Sequence, residues 1–218
     1  ADCVGWHCLV LVAEDLKSFE VPKVNPGGWD VVHPYDGTSA ISHDSSFIVY
    51  SSDAEAPKSS DLFLIRRMDE GWGVPLNLTN QSPFLRNLNP GIAADGRSVV
   101  FQCGDTGWEL HAICQVQTDG SGFRVLVSPN SRPSGNPEEV TLQNPSYAPD
   151  GSVVFAGNWE GDGIWRLPAD GTELTLVREE YWWPCVLLDG RIAAVFQDWS
   201  VSDTTPDYRI DVITPGGS

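Results

Sequence analysis

The chain has 218 residues, enough for one large domain with an extensive core. Its formal net charge is −17 at pH 7, with 13 basic residues, which argues against nucleic acid or an anionic membrane surface as a partner. No stretch approaches the roughly 18 apolar residues of a membrane-spanning helix, so we expect no membrane insertion. The 21 glycines and 16 prolines favour a turn-rich β-protein.

Residues 5–24 predict two strands joined by a turn at Glu14-Asp15, and residues 25–38 form a loop rich in Gly and Pro. The run Leu9-Val10-Leu11-Val12 is apolar on both faces of its predicted strand. We therefore expect this strand to be covered by a neighbouring blade of the fold or by another chain.

From residue 39 onward the same hairpin pattern occurs four times, each time as two short apolar strands with an acidic turn between them. An Asp-Gly turn between apolar runs is a strong hairpin signal, because Gly accepts a positive φ. A polar loop and a third strand follow each hairpin, and three copies add a fourth strand. The turn acids are Asp44, Asp95, Asp150 and Asp189, and the repeat units span 39–79, 89–127, 144–177 and 184–213.

Repeated units of four short antiparallel strands are the blades of a β-propeller. We predict an all-β fold in which residues 1–218 form a single propeller domain and residues 1–38 close the ring. The predicted strands favour four blades plus an extra N-terminal strand. Five-bladed closure is the alternative, and the chain could also be a piece of a larger propeller.

The best-preserved copy reads NPSYAPDGSVVF at residues 144–155, followed by a strand, an Asp-Gly turn and a Leu-Val strand. This pattern resembles the TolB-like propeller repeat, and the resemblance covers residues 39–213. Residues 89–96 also match, with Ala94 in place of Pro, whereas His43 and Ser45 depart from the pattern in the first unit. The resemblance implies mainly structural repeats, used for protein contacts in surface and periplasmic proteins and as domains appended to hydrolases. It implies no catalytic residues.

The five cysteines bear on the cellular compartment in which the protein is located, because disulfides form in oxidising environments. Cys103 ends one strand and Cys114 lies in the next, so neighbouring antiparallel strands can place them within disulfide distance. At most one more pair can form among Cys3, Cys8 and Cys185, and a Cys3–Cys185 bridge is one option. Buried, inert thiols are the alternative. The predicted disulfide favours an oxidising, extracytoplasmic location, and a start at Ala1 fits a processed secreted chain.

The loops after the second strands are polar and contain a Trp in three successive units. Indoles stack on the apolar faces of sugars while acids and amides bind the hydroxyls, so these loops suggest a glycan site. The other interpretation is that the tryptophans pack between blades. The candidate ligand-binding residues are Trp108, Glu109, Asn158, Trp159, Glu160, Asp162, Asp198 and Trp199.

Metal binding and catalysis find less support in the sequence. Acidic loop residues supply the oxygen ligands that Ca²⁺ prefers, but no regular calcium motif connects them, so Ca²⁺ is the one cofactor suggested and its site is unknown. The acids concerned are Asp53, Glu55, Asp61, Glu160, Asp162, Asp198, Asp203 and Asp207. No G-x-S-x-G or H-E-x-x-H motif is present, and the four scattered histidines are interpreted as structural.

The sequence therefore predicts a non-catalytic extracytoplasmic propeller for protein interaction or surface assembly. One alternative is a carbohydrate-binding propeller that uses the loop tryptophans and acids. A second alternative is a polysaccharide hydrolase or lyase, since paired carboxylates need proximity in space and leave no fixed sequence spacing.

Overall fold

The computed structural model describes residues 38–52, 59–69, 71–105, 112–132, 137–159, 161–198 and 207–214. The predicted strands within residues 5–24 lie outside these ranges. Sixteen strands in the described residues form four antiparallel sheets, each connected in chain order. This arrangement confirms the all-β prediction.

The strands follow the repeat units closely. The first sheet contains β1 (Ser39–Ile41), β2 (Phe47–Ser52), β3 (Asp61–Met68), β4 (Gly71–Trp72) and β5 (Leu76–Asn77). The second contains β6 (Arg86–Ile92), β7 (Ser98–Gly104), β8 (Ala112–Gln117) and β9 (Arg124–Val127). The third contains β10 (Leu142–Tyr147), β11 (Val153–Gly157), β12 (Gly163–Leu167) and β13 (Thr175–Glu179). The fourth contains β14 (Tyr181–Val186), β15 (Ile192–Asp198) and β16 (Asp207–Ile213).

The turn acids close the hairpins as the repeats predict. Each carboxylate Oδ1 accepts a hydrogen bond from the backbone N–H two residues later, which fixes a tight Asx turn. The donors are Ser46 (3.0 Å, to Asp44), Arg97 (3.0 Å, to Asp95), Ser152 (3.1 Å, to Asp150) and Arg191 (3.0 Å, to Asp189). In the first unit, Ser45 adopts φ 58° at the position where the other three units have Gly.

Face-to-face packing of consecutive sheets forms the core. Because successive strand residues point to opposite faces, Phe101 and Cys114 pack against the first sheet, while Val100 and Ile113 pack against the third. Three apolar clusters therefore lie between the four sheets in turn. The predicted disulfide is confirmed: Cys103 and Cys114 join β7 to β8 inside the first cluster, with their Cα atoms 6.1 Å apart.

The first strands of three units differ from the prediction. They begin at Arg86, Leu142 and Tyr181, three or four residues before the strand starts that the repeats predict at residues 90, 145 and 184. The reason is that the X-Pro pairs expected at strand entry lie inside β-bulges, where Pro needs no ladder partner. The residues before Pro have positive φ, and they are Asn89 (52°), Asn144 (52°) and Trp183 (50°).

The fourth strand of the first unit also differs from the prediction, because it is broken into β4 and β5. Both pieces pair with β3, and residues 73–75, Gly-Val-Pro, leave the ladder between them. Pro75 has no N–H to donate, so the sheet cannot continue through this position.

Replacing Gly91 by Ala should destabilise the fold by about 1–3 kcal/mol, the usual cost of overpacking. A Cβ at Gly91 would lie 2.8 Å from the Pro145 carbonyl oxygen and 3.2 Å from Val100 Cγ2, so β6 and β10 would have to separate. The matched control is Gly73→Ala, where the nearest atom would be 3.5 Å away. Urea unfolding of both variants measures the difference, and equal stabilities would contradict this packing.

The Asp44 carboxyl should titrate far below its usual range. Hydrogen bonds from the Ser42 and Ser46 side chains and the Ser46 N–H lower its pKa from 3.8 to about 2. Since the folded-state pKa is depressed, these bonds stabilise the fold above about pH 4 and lose that effect as the pH falls towards about 2. Carboxyl NMR titration should show a higher Asp44 pKa in Ser46→Ala than in wild type. An unchanged pKa would mean that Ser46 does not stabilise the carboxylate.

Candidate interaction surface

Half of the predicted loop site lies outside the described residues, namely Trp108, Glu109, Glu160 and Trp199. The backbone of Asp198 ends β15, opposite Asp207 of β16. Asp162 is exposed just before β12, where its carbonyl oxygen accepts a hydrogen bond from the Glu180 N–H at 2.7 Å. Glycan binding by these loops stays a prediction.

Asn158 is used to hold the backbone of the connection between the second and third sheets. Its Oδ1 accepts a hydrogen bond from the Thr141 N–H at 2.7 Å, and its Nδ2 donates to the Glu139 carbonyl oxygen at 3.2 Å. Both ends of the amide are therefore occupied by the protein's own backbone.

Trp159 lies in the core cluster between the second and third sheets and is 6% exposed. Its ring makes edge contacts with Phe155 and Trp165, with ring centroids 6.1 and 5.1 Å away. Its Nε1–H donates to the Pro129 carbonyl oxygen at 2.8 Å. These contacts leave little of the indole for a sugar, so the structure favours the packing interpretation for this residue.

The acidic residues within the described ranges are mostly bonded to the protein itself. Asp61 accepts side-chain hydrogen bonds from Asn77 (3.1 Å), Thr79 (2.8 Å) and Asn87 (3.2 Å), which tie the first sheet to the start of the second. A search of the described residues finds no group of three or more His, Cys, Asp or Glu side chains placed to hold a metal ion. Nor does this part of the chain contain a helix long and apolar enough to cross a membrane.

A groove of about 490 Å³ runs beside the outer strand of the third sheet, with Tyr181, Phe196 and Arg209 among its lining residues. Two of these residues bind the Asp211 carboxylate. The Tyr181 hydroxyl donates to Asp211 Oδ2 at 2.6 Å, and Arg209 donates to both oxygens of the same carboxylate. The Tyr181 bond and then the Arg209 bonds lower the pKa of Asp211. This cluster is therefore a structural ion pair on the rim of an open groove.

The outer edge of the first sheet carries a group of exposed or half-buried side chains that sequence reasoning did not single out. We call this group the edge surface and define it as Arg67, Met68, Trp72, Val74 and Leu76. Val74 is 91% exposed, Met68 58% and Leu76 42%. Isolated exposed apolar residues are ordinary on proteins, but several at one edge mark a contact surface.

The break in the edge strand creates this surface. Arg67 pairs with Trp72 across β3 and β4, and the Gly73 N–H donates to the Arg66 carbonyl oxygen at 2.8 Å, so the chain turns outward at Val74. The backbone of Gly73 lies beside Met68. A sequence signal was available, because the chain's single Met lies near Gly-Val-Pro, which interrupts an edge strand.

Two arginines lie at this edge, followed along the chain by the exposed Asp69. Arg66 and Arg67 are both exposed, and the Arg66 guanidinium lies 5.3 Å from the centre of the Phe47 ring, a cation–π distance. Arg, Trp and Met are enriched in protein–protein interfaces. The edge surface thus contains residue types that are common in protein–protein interfaces.

Comparison with known proteins identifies solved structures with a similar fold. No protein-family model matches the chain, and no curated protein matches its sequence. Solved structures do match: a protein described as TolB from Agrobacterium tumefaciens has a TM-score of 0.62 at 20% identity, covering 83% of this chain and 62% of that one. TolB from Acinetobacter baumannii gives 0.58 at 16% identity, covering 83% and 41%. A chain from a nidogen/laminin complex gives 0.57 at 14% identity, covering 83% and 61%.

These likenesses show the fold: the four described sheets are blades of a β-propeller like that of TolB. The chain spans between 41% and 62% of the length of the three matched chains.

Trp159→Ala should destabilise the protein by about 3–5 kcal/mol, as for other buried aromatic truncations. Trp159→Phe keeps the ring contacts and loses the bond to Pro129, so about 1 kcal/mol is expected. Urea unfolding of both variants gives the two values. A Trp159→Ala variant as stable as wild type would contradict the packing role.

Proposed function

We propose that the protein is a non-catalytic propeller module that binds another protein through the edge surface. The exposure of Val74 and Met68 on a break in the edge strand is the observation that supports this best. The residues at the equivalent position of the next two units, Phe123 and Leu174, are partly buried against the core, so the exposure of Val74 distinguishes the first unit from these two.

The partner segment should combine apolar and acidic side chains. Apolar groups would cover Val74, Met68 and Leu76, and a carboxylate would pair with Arg67. The net charge of −17 opposes an acidic partner at long range. At physiological ionic strength exposed charges beyond about 8 Å are largely screened, so the charge of Arg67 in the contact dominates once the segment is in place.

An extracytoplasmic location is part of this proposal. The buried Cys103–Cys114 bond is typical of proteins from oxidising compartments. A chain of similar fold occurs in a nidogen/laminin complex, which is consistent with a propeller acting in a protein assembly.

The proposal is tested by anisotropy titration of the full chain with labelled peptides in which Glu alternates with Leu or Phe. Saturable binding is expected, and peptides with Lys in place of Glu should bind more weakly. Val74→Asp should reduce the affinity by about ten-fold, since it places a charge in an apolar contact and repels Glu. Arg67→Glu should have an effect of similar size.

The matched control is Leu188→Asp, which makes the same kind of change at a 74% exposed residue in the turn between β14 and β15. This variant should bind the peptides like wild type. If Val74→Asp and Leu188→Asp bind equally well, or if the Glu and Lys peptides do not differ, the edge surface is not the docking site.

A further inference from the structure

Met68 is the single methionine of the chain, and it lies in the edge surface. It ends β3, whose last three residues are exposed, and it pairs with Gly71 of β4. Met68 is 58% exposed and belongs to none of the three apolar clusters between the sheets. Methionine is among the residue types most often buried, so this position at an exposed edge is unusual.

The Met68 thioether lies beside the break in the edge strand. A Cβ at Gly73 would be 3.7 Å from the Met68 Sδ, and Val74 follows directly in the chain. Because position 73 is a glycine, no side chain from that residue covers the sulfur. A partner that covers Val74 therefore also contacts Met68, and the thioether becomes part of the apolar contact.

Among apolar side chains, that of methionine is reversibly converted by oxidation into a polar one. Hydrogen peroxide transfers one oxygen atom to the sulfur lone pair, so that an S–O bond forms as the O–O bond breaks. The sulfur loses two electrons and the peroxide gains them. The proton of the transferred hydroxyl passes to the leaving oxygen, which departs as water. The product is a sulfoxide, and methionine sulfoxide reductases convert it back to the thioether.

We propose that Met68 is a site of reversible oxidation by peroxides, and that its sulfoxide weakens protein binding at the edge surface. The loss of binding depends on the function proposed above, whereas the oxidation of Met68 does not. Burying a polar oxygen against apolar groups that cannot donate a hydrogen bond is unfavourable. Water solvates the same oxygen in the free chain, so oxidation weakens the complex and leaves the fold intact.

The Cys185 thiol is a poorer target for peroxide. It is the free cysteine of the described residues and is half-buried. Burial raises the pKa of this thiol, so little of the reactive thiolate is present near neutral pH. The Met68 thioether has no proton to lose, so its oxidation needs no deprotonation.

The experiment treats the full chain with dilute hydrogen peroxide and removes the excess with catalase. Peptide mass spectrometry should find one added oxygen on the peptide that contains residue 68, formed at a rate close to that of free methionine. Anisotropy titration with the same Glu-containing peptides should then show an affinity about ten-fold lower. Methionine sulfoxide reductases A and B should restore the affinity. Urea unfolding should give the same stability before and after oxidation, because Met68 belongs to none of the core clusters.

Two variants separate Met68 from other oxidisable groups. Met68→Gln has a side chain of similar length that is permanently polar, so without peroxide it should bind about as weakly as oxidised wild type. Met68→Leu cannot form a sulfoxide, so peroxide should leave its affinity equal to that of the same variant before treatment. A loss of affinity in treated Met68→Leu would assign the effect to thiols or indoles and overturn the proposal.

The remaining outcomes distinguish this proposal from the function on which it depends. Peptide binding that survives complete oxidation of Met68 would overturn the proposal and leave the edge surface as the docking site. Untreated wild type that binds no peptide would overturn the proposed function and, with it, the effect of oxidation on binding. The modification site is then judged by its rate: oxidation of Met68 far slower than that of free methionine would overturn it as well.

Discussion

The structure depends on one constraint: a sheet with two apolar faces must be covered on both. In the second sheet, Phe101 and Ile113 point to opposite faces, and both are 0% exposed because a neighbouring sheet lies on each side. Hairpin turns and strand ladders make each sheet, but a single sheet would leave half of these side chains in water. Burying an Ile or Phe side chain stabilises the fold by about 1.5–3 kcal/mol. The stability of the fold therefore depends on packing between successive sheets and not on any single sheet.

The bulges before Pro serve this packing, since they shape the inner strands where neighbouring sheets approach most closely. Asn89 adopts a positive φ and its N–H donates to Thr38 Oγ1 at 2.9 Å, which links β6 to the residue before β1. Asn tolerates the left-handed region better than most residues. In the fourth unit Trp183 occupies the equivalent position with φ 50°, a conformation that is unusual for a bulky residue. Its ring stacks on Tyr208, with the ring centroids 6.4 Å apart.

Much of the fold could be predicted from the sequence because its determinants are local. The Asp150-Gly151 turn and the Cys103–Cys114 pairing follow from a few adjacent residues and the antiparallel connection. The roles of the loop residues could not be predicted, because they depend on distant neighbours. Trp159 is buried through the Pro129 carbonyl oxygen and the Trp165 ring, and nothing near it in the sequence distinguishes that role from sugar binding. The edge surface was missed because the exposure of Val74 depends on where the ladder breaks.

Comparison between units separates what the fold requires from what is particular to one unit. Ile113 and Ile164 lie on the third strands of their sheets, and both are 0% exposed because the following sheet covers them. The residues just before the outer strand lie outside the ladder in all three units, but Phe123 and Leu174 are partly buried against the core there, whereas Val74 is 91% exposed. The sequence of a repeat unit can vary at positions that the packing between units does not constrain. In a repeated fold, functional residues lie at such positions, where one unit departs from the others. The exposure of Val74 is such a departure, and it supports the proposed role of the edge surface in recognition.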